Sequence, residues 1–154
     1  MATVAFETID PRDPEVRTAL GRYLAEVARR VASTAISTDE IEDVAGYAPP
    51  GGVFLVGRVD GPVVACGAIR RLGPDLGEIK RMWIDPQWRG QGHGASLIAA
   101  LEAAARELGY SRLRLDTSEV LVEAVRLYES CGYRRIDRYN DNPDATLFYE
   151  KYLP

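Results

Sequence analysis

The sequence predicts an α/β (α+β) protein: a mixed, largely antiparallel sheet of six to seven strands flanked by four helices. Three observations carry that expectation. Segments of period-two and period-3.6 hydrophobicity interleave in the order β-α-α-β-β-β-α-β-α-β-β. An Asp60-Gly61 pair joins two β-rich runs as a tight hairpin. A glycine-rich loop, Arg89-Gly90-Gln91-Gly92-His93-Gly94, separates a strand from a helix. No repeat, low-complexity tract or Ser/Gly-rich linker divides the 154 residues, so a single domain is expected over 1–154.

Thr3 to Ile9 alternates as a strand. Asp13-Pro14 opens a helix through about Val31, with proline in the first turn and Val16, Leu20, Leu24, Val27 and Val31 on one face. Ser37 and Glu40 have capping-box spacing at the head of a short second helix, which Pro49-Pro50-Gly51-Gly52 closes off. Val53 to Val59 and Pro62 to Ile69 are the hairpin strands, and Glu78 to Asp85 is a third run ending at Pro86. After the glycine-rich loop, Ala95, Leu97, Ile98, Leu101, Ala105 and Leu108 recur at helical spacing up to Gly109. Arg112 to Thr117 reads as a strand and Leu121 to Ser130 as a helix stopped by Gly132. Arg134 to Tyr139 and Thr146 to Tyr152 read as two last strands around Asn140-Asp141-Asn142-Pro143.

Composition excludes several function classes. A net charge of −4 and basic runs of no more than two residues argue against a nucleic-acid partner, whose binding rests on neutralising phosphates. Two cysteines without CxxC spacing and a single histidine leave too few soft ligands for a zinc, haem or iron–sulfur site, so no metal is expected. No apolar h-region opens the chain and no run of about 18 apolar residues occurs, which predicts a cytoplasmic protein without a membrane segment. A chain this long buries roughly 70% of its unfolded surface and needs no disulfide.

The loop is the most informative stretch. Alternate glycines between a strand and a helix let backbone N–H groups approach an anion closely, and the helix N-terminus adds a positive dipole end, an arrangement suited to a diphosphate. A P-loop is excluded, because no Gly-Lys-Ser/Thr follows the first glycine at the required distance. Gly90, Gly92 and Ala95 also fit a GxGxxA dinucleotide fingerprint, with Asp116 near the place of a ribose-binding acid. Against that reading, Asp85-Pro86-Gln87-Trp88-Arg89 intervenes between strand and glycine, and a hairpin precedes instead of an opening strand.

With these elements assigned, the sequence resembles the GCN5-related N-acetyltransferase (GNAT) family. Arg89, Gly92 and Gly94 match its Q/R-x-x-G-x-G/A signature. The preceding strand Glu78 to Pro86 is similar too, as is Ala124-Val125-Arg126-Leu127-Tyr128-Glu129-Ser130-Cys131-Gly132-Tyr133, which follows the family's A-x-x-L-Y-E-x-x-G-F/Y segment. The resemblance implies the acyl-CoA N-acyltransferase fold and transfer of acetyl from acetyl-coenzyme A to a primary amine of a small molecule by direct attack. A non-catalytic acyl-coenzyme A sensor of the same fold is the alternative.

By the same resemblance, the amides of Arg89, Gly90, Gln91, Gly92, His93, Gly94 and Ala95 hold the coenzyme's pyrophosphate. Met82, Trp83 and Ile84 pair their backbone with its pantetheine arm, as a ligand adding a strand. Tyr128 occupies the usual proton donor's place, although it also fits a packed aromatic in register with Leu121, Ala124 and Cys131. Glu78 occupies the place of a general base. It alternates with Lys80, Met82 and Ile84 on the side of the strand expected to face the cleft, and an exposed carboxylate at a strand start is the other reading. Leu121 replaces an asparagine that often contacts the coenzyme. Arg81 and Arg71, with Arg70, are candidates to bind a carboxylate on the acceptor; the acidic cluster Asp39-Glu40-Glu42-Asp43 would suit a polycation instead. A homodimer is compatible with this reading.

Overall fold

A computed structural model describes residues 3–31 and 44–154. Its elements are β1 (Ala5–Thr8), α1 (Pro14–Val31), β2 (Val53–Arg58), β3 (Val63–Gly73), β4 (Leu76–Ile84), α2 (His93–Glu107), β5 (Arg112–Thr117), α3 (Val122–Ser130), β6 (Arg134–Ile136) and β7 (Leu147–Tyr152). All seven strands form one sheet in the order β1-β2-β3-β4-β5-β7-β6. Every pairing is antiparallel except β4 with β5. The described residues contain three α-helices; the fourth, expected from Ser37 and Glu40, falls outside them.

Alternation along the strands divides the core into two layers. Phe54, Val56, Cys66, Ala68 and Trp83 face α1, meeting Val16, Ala19 and Leu20. Leu55, Ile69, Ile79, Leu113 and Leu115 point to the other face, against Leu97, Ile98 and Leu101 of α2 and Tyr128 of α3. Leu101 is fully buried, and truncating it to alanine would cost about 2–5 kcal/mol.

The β2–β3 turn has the expected form, with φ of 52° at Asp60 and 107° at Gly61, both in the region that a type I′ hairpin demands. Other boundaries move. β3 continues to Gly73, because β4 begins at Leu76 and Gly73 pairs with it. α2 starts at His93, since Gly92 in the left-handed region (φ 85°, ψ 3°) is its N-cap. β6 stops at Ile136 instead of Tyr139. Beyond it Arg138 ties down the loop carbonyls of Asn140, Asn142 and Ala145, while Tyr139 and Asn140 turn their side chains inward.

Two features of β4 position the site. First, it pairs with β5 only over Leu76–Glu78 against Arg112–Arg114, and the two strands then diverge. Second, Cys66 pairs with Trp83 while Ala68 pairs with Lys80, so three steps along β4 match two along β3. The extra residue is a β-bulge, and within it Arg81 takes φ 59°. One inserted residue inverts the alternation. Glu78 and Lys80 lie on the α1 face, opposite Arg70 and Ala68, whereas Met82 and Ile84 pack with the α2/α3 core. The expected single row of Glu78, Lys80, Met82 and Ile84 is therefore split between the two faces.

Candidate active site

The divergence of β4 from β5 opens a cleft of about 370 Å³. Met82, Trp83 and Ile84 form one side, and Leu121, Ala124, Leu127 and Tyr128 of the α3 region form another. Tyr23, Glu26, Val27 and Arg30 of α1 form its rim, and the glycine-rich loop closes one end.

The loop is placed by a short turn. The Asp85 carboxylate accepts from the Gln87 N–H at 3.0 Å and pairs with Arg22 at 2.7 Å, starting a 3₁₀ turn over Pro86–Trp88. Arg89 then reaches back, its Nε donating to the Ile84 carbonyl at 3.0 Å and its Nη2 to Glu26 at 2.5 Å. Gly90 and Gly92 both have positive φ, 75° and 85°. The first-turn amides of His93, Gly94 and Ala95 have no acceptor within α2, as in any helix, and no side chain caps them. A Cβ on Gly92 would meet nothing within 4 Å, whereas one on Gly94 would lie 2.7 Å from Leu127 Cδ2; the first glycine leaves open room and the second lets α2 sit against α3. These are the properties of an anion cradle. His93 is buried beside Trp88 with ring centroids 6.1 Å apart, and its Nε2 has no hydrogen-bond partner.

Tyr128 lines this cleft. Its ring is held edge-on by Tyr133 and tilted against Tyr149, with centroids 6.2 and 6.3 Å away. Burial pushes its phenol far above the usual range, helped by the nearby Tyr23 and Asp116, so it remains a proton donor throughout the neutral range. Tyr23 lies across from it, its phenol pushed up to about 12 by burial against the opposing pull of Arg81. Across the cleft rim Arg30 forks onto both oxygens of Glu123, joining α1 to α3.

A second cleft, about 550 Å³, lies on the α1 face and shares Tyr23 and Val27 with the first. Arg70, Lys80 and Arg81 line it, facing Leu24, Gly46 and Tyr47 on one side and Asn140 to Asp144 on the other. The bulge at Arg81 thus gives one strand two jobs, Lys80 and Arg81 serving the second cleft and Met82 to Ile84 the first.

Among the sequence candidates, Met82, Trp83, Ile84, Arg89, Gly90, Gly92, His93, Gly94, Ala95 and Tyr128 converge on the first cleft, and Arg81 lies at the junction in the second. Gln91 is exposed on the loop and holds the Gln87 carbonyl at 3.5 Å. Two candidates sit elsewhere. Arg71 is exposed, stacks on Tyr110 at 5.4 Å and lines neither cleft, because it follows Arg70 on the opposite side of β3. Glu78 is neither exposed nor part of a cleft wall. It is fully buried, accepting from Arg70 Nε at 2.7 Å, Tyr139 Oη at 2.6 Å and Asn140 Nδ2 at 3.5 Å. Asp116 binds Asn140 at 2.6 Å and Asn142 at 3.3 Å, with Lys80 at 3.7 Å.

Sequence reasoning missed Tyr23, Lys80, Tyr139, Asn140 and Asn142 as site residues. For Tyr23 a signal existed: it lies three residues after Leu20 and four before Val27, at the border of the apolar face of α1. Among the described residues no group of three or more His, Cys, Asp or Glu side chains could hold a metal ion, and no helix is long and apolar enough to cross a membrane.

Comparison with known proteins agrees with this architecture. The pattern of the acetyltransferase (GNAT) family matches residues 18–133. An uncharacterized N-acetyltransferase of Schizosaccharomyces pombe is 33% identical over 129 residues, covering 82% of this chain and 79% of that protein. A Klebsiella pneumoniae crystal structure assigned as an acyl-CoA N-acyltransferase superposes with a TM-score of 0.82 at 33% identity, covering 99% of each chain. A GNAT acetyltransferase from Elizabethkingia anophelis with acetyl-CoA bound shares the fold at a TM-score of 0.72 and 14% identity, over 97% of this chain and 98% of that one. The split strand, the glycine cradle and these likenesses agree: the chain belongs to the GNAT family, the acetyl-CoA-dependent acyltransferases.

Proposed function

We propose that this protein moves acetyl from acetyl-coenzyme A to a primary amine of a small molecule by direct attack, with the coenzyme in the first cleft and the amine in the second. The observation that carries the proposal is the meeting of the two clefts at Tyr23 and Val27, beside the Arg81 bulge. Two adjoining sites suit two substrates held together. Neither cysteine lines a cleft: Cys66 is buried with its thiol on the Arg81 carbonyl, and Cys131 follows the end of α3. An acetyl-cysteine intermediate has no support in that placement.

The residues present fit the coenzyme. The open Cβ position at Gly92, the positive φ of Gly90 and the unpaired first turn of α2 provide a diphosphate cradle formed by Arg89 to Ala95, and the diverging edge at Met82–Ile84 offers backbone groups to an amide-containing arm. When bound, acetyl-coenzyme A supplies an activated thioester. Tyr128 holds a proton at its oxygen for the sulfur that departs, whose thiol has a pKa near 8.5. An alkylamine arrives mostly protonated, with a pKa near 10.4. Glu78 lines neither cleft, so in this reading the ammonium gives its proton to solvent in the open second cleft.

The second cleft presents Arg70, Lys80 and Arg81 against Asp141 and Asp144. That pattern suits an acceptor bearing both an ammonium and a carboxylate, with Arg81 nearest the junction reading the carboxylate. The test is release of free thiol from acetyl-coenzyme A in the presence of L-phenylalanine, 2-phenylethylamine, L-glutamate, γ-aminobutyrate, spermidine or kanamycin. Thiol release matched by N-acetylated product is expected, with L-phenylalanine preferred to 2-phenylethylamine. Arg81→Lys, which keeps the charge and loses the fork, should raise KM for L-phenylalanine and leave KM for the coenzyme nearly unchanged. Equal turnover of L-phenylalanine and 2-phenylethylamine removes the carboxylate reading; no acetylated amine from any of the six removes the amine reading.

A further inference from the structure

Two carboxylates lie beneath the second cleft, on neighbouring strands that have begun to part. Glu78, on β4, is completely buried. Asp116, on β5, has a side chain only 10% exposed. Both are engaged by one short segment. Tyr139 donates its hydroxyl to Glu78 Oε2 at 2.6 Å, and the Asn140 amide spans both acids, 3.5 Å from Glu78 Oε2 and 2.6 Å from Asp116 Oδ2. Asn142 adds a bond to Asp116 Oδ1 at 3.3 Å. The side chains so held organise the backbone in turn: Asn140 Oδ1 accepts from the Asn142 N–H at 3.0 Å and Asn142 Oδ1 from the Asp144 N–H at 3.1 Å. Residues 137–146 belong to no strand, and Asn140 to Asp144 are one wall of the second cleft.

We propose that Glu78 is a positioning residue: together with Asp116 it pins the Tyr139–Asp144 segment as the acceptor-side wall and so sets affinity for the amine, without itself taking the amine's proton. Three donors engage the carboxylate at both oxygens, and it is fully buried and lines neither cleft. Burial and the neighbouring Glu78 charge hold the Tyr139 proton on its oxygen, so this phenol stays the donor in that bond. Arg70 and Lys80 balance the two acids, which makes burying them tolerable. The inference rests on the second cleft being the acceptor site.

The experiment compares Glu78→Gln, Tyr139→Phe and their double variant with wild type, varying the best acceptor among the six amines tested above, and following amide hydrogen exchange at residues 140–145. Pinning predicts that each single variant raises acceptor KM about fivefold or more and leaves kcat within about threefold. The acidic limb of the pH profile of kcat/KM should be unmoved, and the double variant should be little worse than either single one. Exchange over 140–145 should rise several-fold in Tyr139→Phe, a variant that removes one hydroxyl and keeps the ring on Phe148. A kcat loss of about 100-fold or more in Glu78→Gln with a flattened acidic limb makes Glu78 the base and overturns the proposal, as does an acceptor KM in Tyr139→Phe within twofold of wild type. Wild-type enzyme that acetylates none of the six amines defeats the acceptor reading of the cleft, and exchange at 140–145 then decides the pinning alone.

Discussion

Gly92 allows backbone strain and ligand contact to be separated in one residue. Its φ of 85° lies where L-residues are disfavoured, and a Cβ built there touches nothing within 4 Å. Gly92→Ala therefore adds strain without a clash. The left-handed conformation costs an alanine about 1–2 kcal/mol, and at roughly 2–4 °C per kcal/mol for a chain of this size Tm should fall by about 2–8 °C. Asparagine tolerates that conformation through local hydrogen bonding, so Gly92→Asn should be the more stable of the two variants. Coenzyme binding should follow the opposite order. Gly92 lines the first cleft, so any side chain projects where a diphosphate would approach the backbone, and asparagine is the larger obstacle. Urea unfolding should rank glycine above asparagine above alanine with an unchanged m-value, while calorimetric titration with acetyl-coenzyme A should rank glycine above alanine above asparagine. Identical rankings in the two measurements, or an alanine variant as stable as wild type, would refute the reasoning.

Three further outcomes are expected. Tyr128→Phe keeps the ring contacts with Tyr133 and Tyr149 and removes the donor, so kcat should fall about tenfold or more with coenzyme Kd and Tm nearly unchanged; wild-type kcat would leave Tyr128 a packing role only. The hydrogen bonds from Arg30 lower the Glu123 carboxyl to about 2, so the pair contributes stability that is complete above pH of about 4.5 and is lost as pH falls toward 2. With Glu123 half exposed, solvent screening limits that contribution to about 1 kcal/mol; an acid-unfolding curve for Glu123→Gln that matches wild type would remove it. Burial pushes the Cys66 thiol up to about 12, so mass mapping after alkylation at pH 8 should find Cys66 unlabelled in native protein and labelled in denaturant.

What the sequence revealed follows the reach of each interaction. Asp60-Gly61 and the Gly90–Gly92 loop are legible because the chemistry that fixes them lies within a few residues. Tyr128 is legible because helical spacing and one segment resemblance place it. The Arg81 bulge is not, since a bulge is an extra residue relative to a partner strand, and nothing within Glu78–Ile84 shows that β3 is one residue shorter there. That single insertion misplaced Glu78, which alternation alone had set beside Met82. Its true neighbours were hidden for a second reason. Tyr139 and Asn140 read as the end of one strand and the start of a turn, while their partners, Glu78 and Asp116, lie about sixty and twenty-four positions away. Arg71 failed more simply: side by side with Arg70 in sequence, it must face the opposite side of the strand.

The short joint between β4 and β5 has a mechanical consequence. Each half of the sheet is cross-tied along its length, β1 to β4 on one side and β5, β7 and β6 on the other, but only three residue pairs at one end join them strand to strand; beyond those pairs the halves meet through side chains, Asn140 between Glu78 and Asp116 and Lys80 beside Asp116, and through the α2/α3 core. Past that joint no backbone ladder holds β4 to β5, so their far ends are tied, like the arms of a pair of tongs, from outside the hinge. The Arg30–Glu123 pair is a tie at the open end, joining α1, which packs on the first half, to α3, which connects β5 to β6. Because that tie is a partly exposed ion pair, dissolved salt weakens it. Raising ionic strength is therefore expected to loosen this outer tie before the buried contacts beneath it.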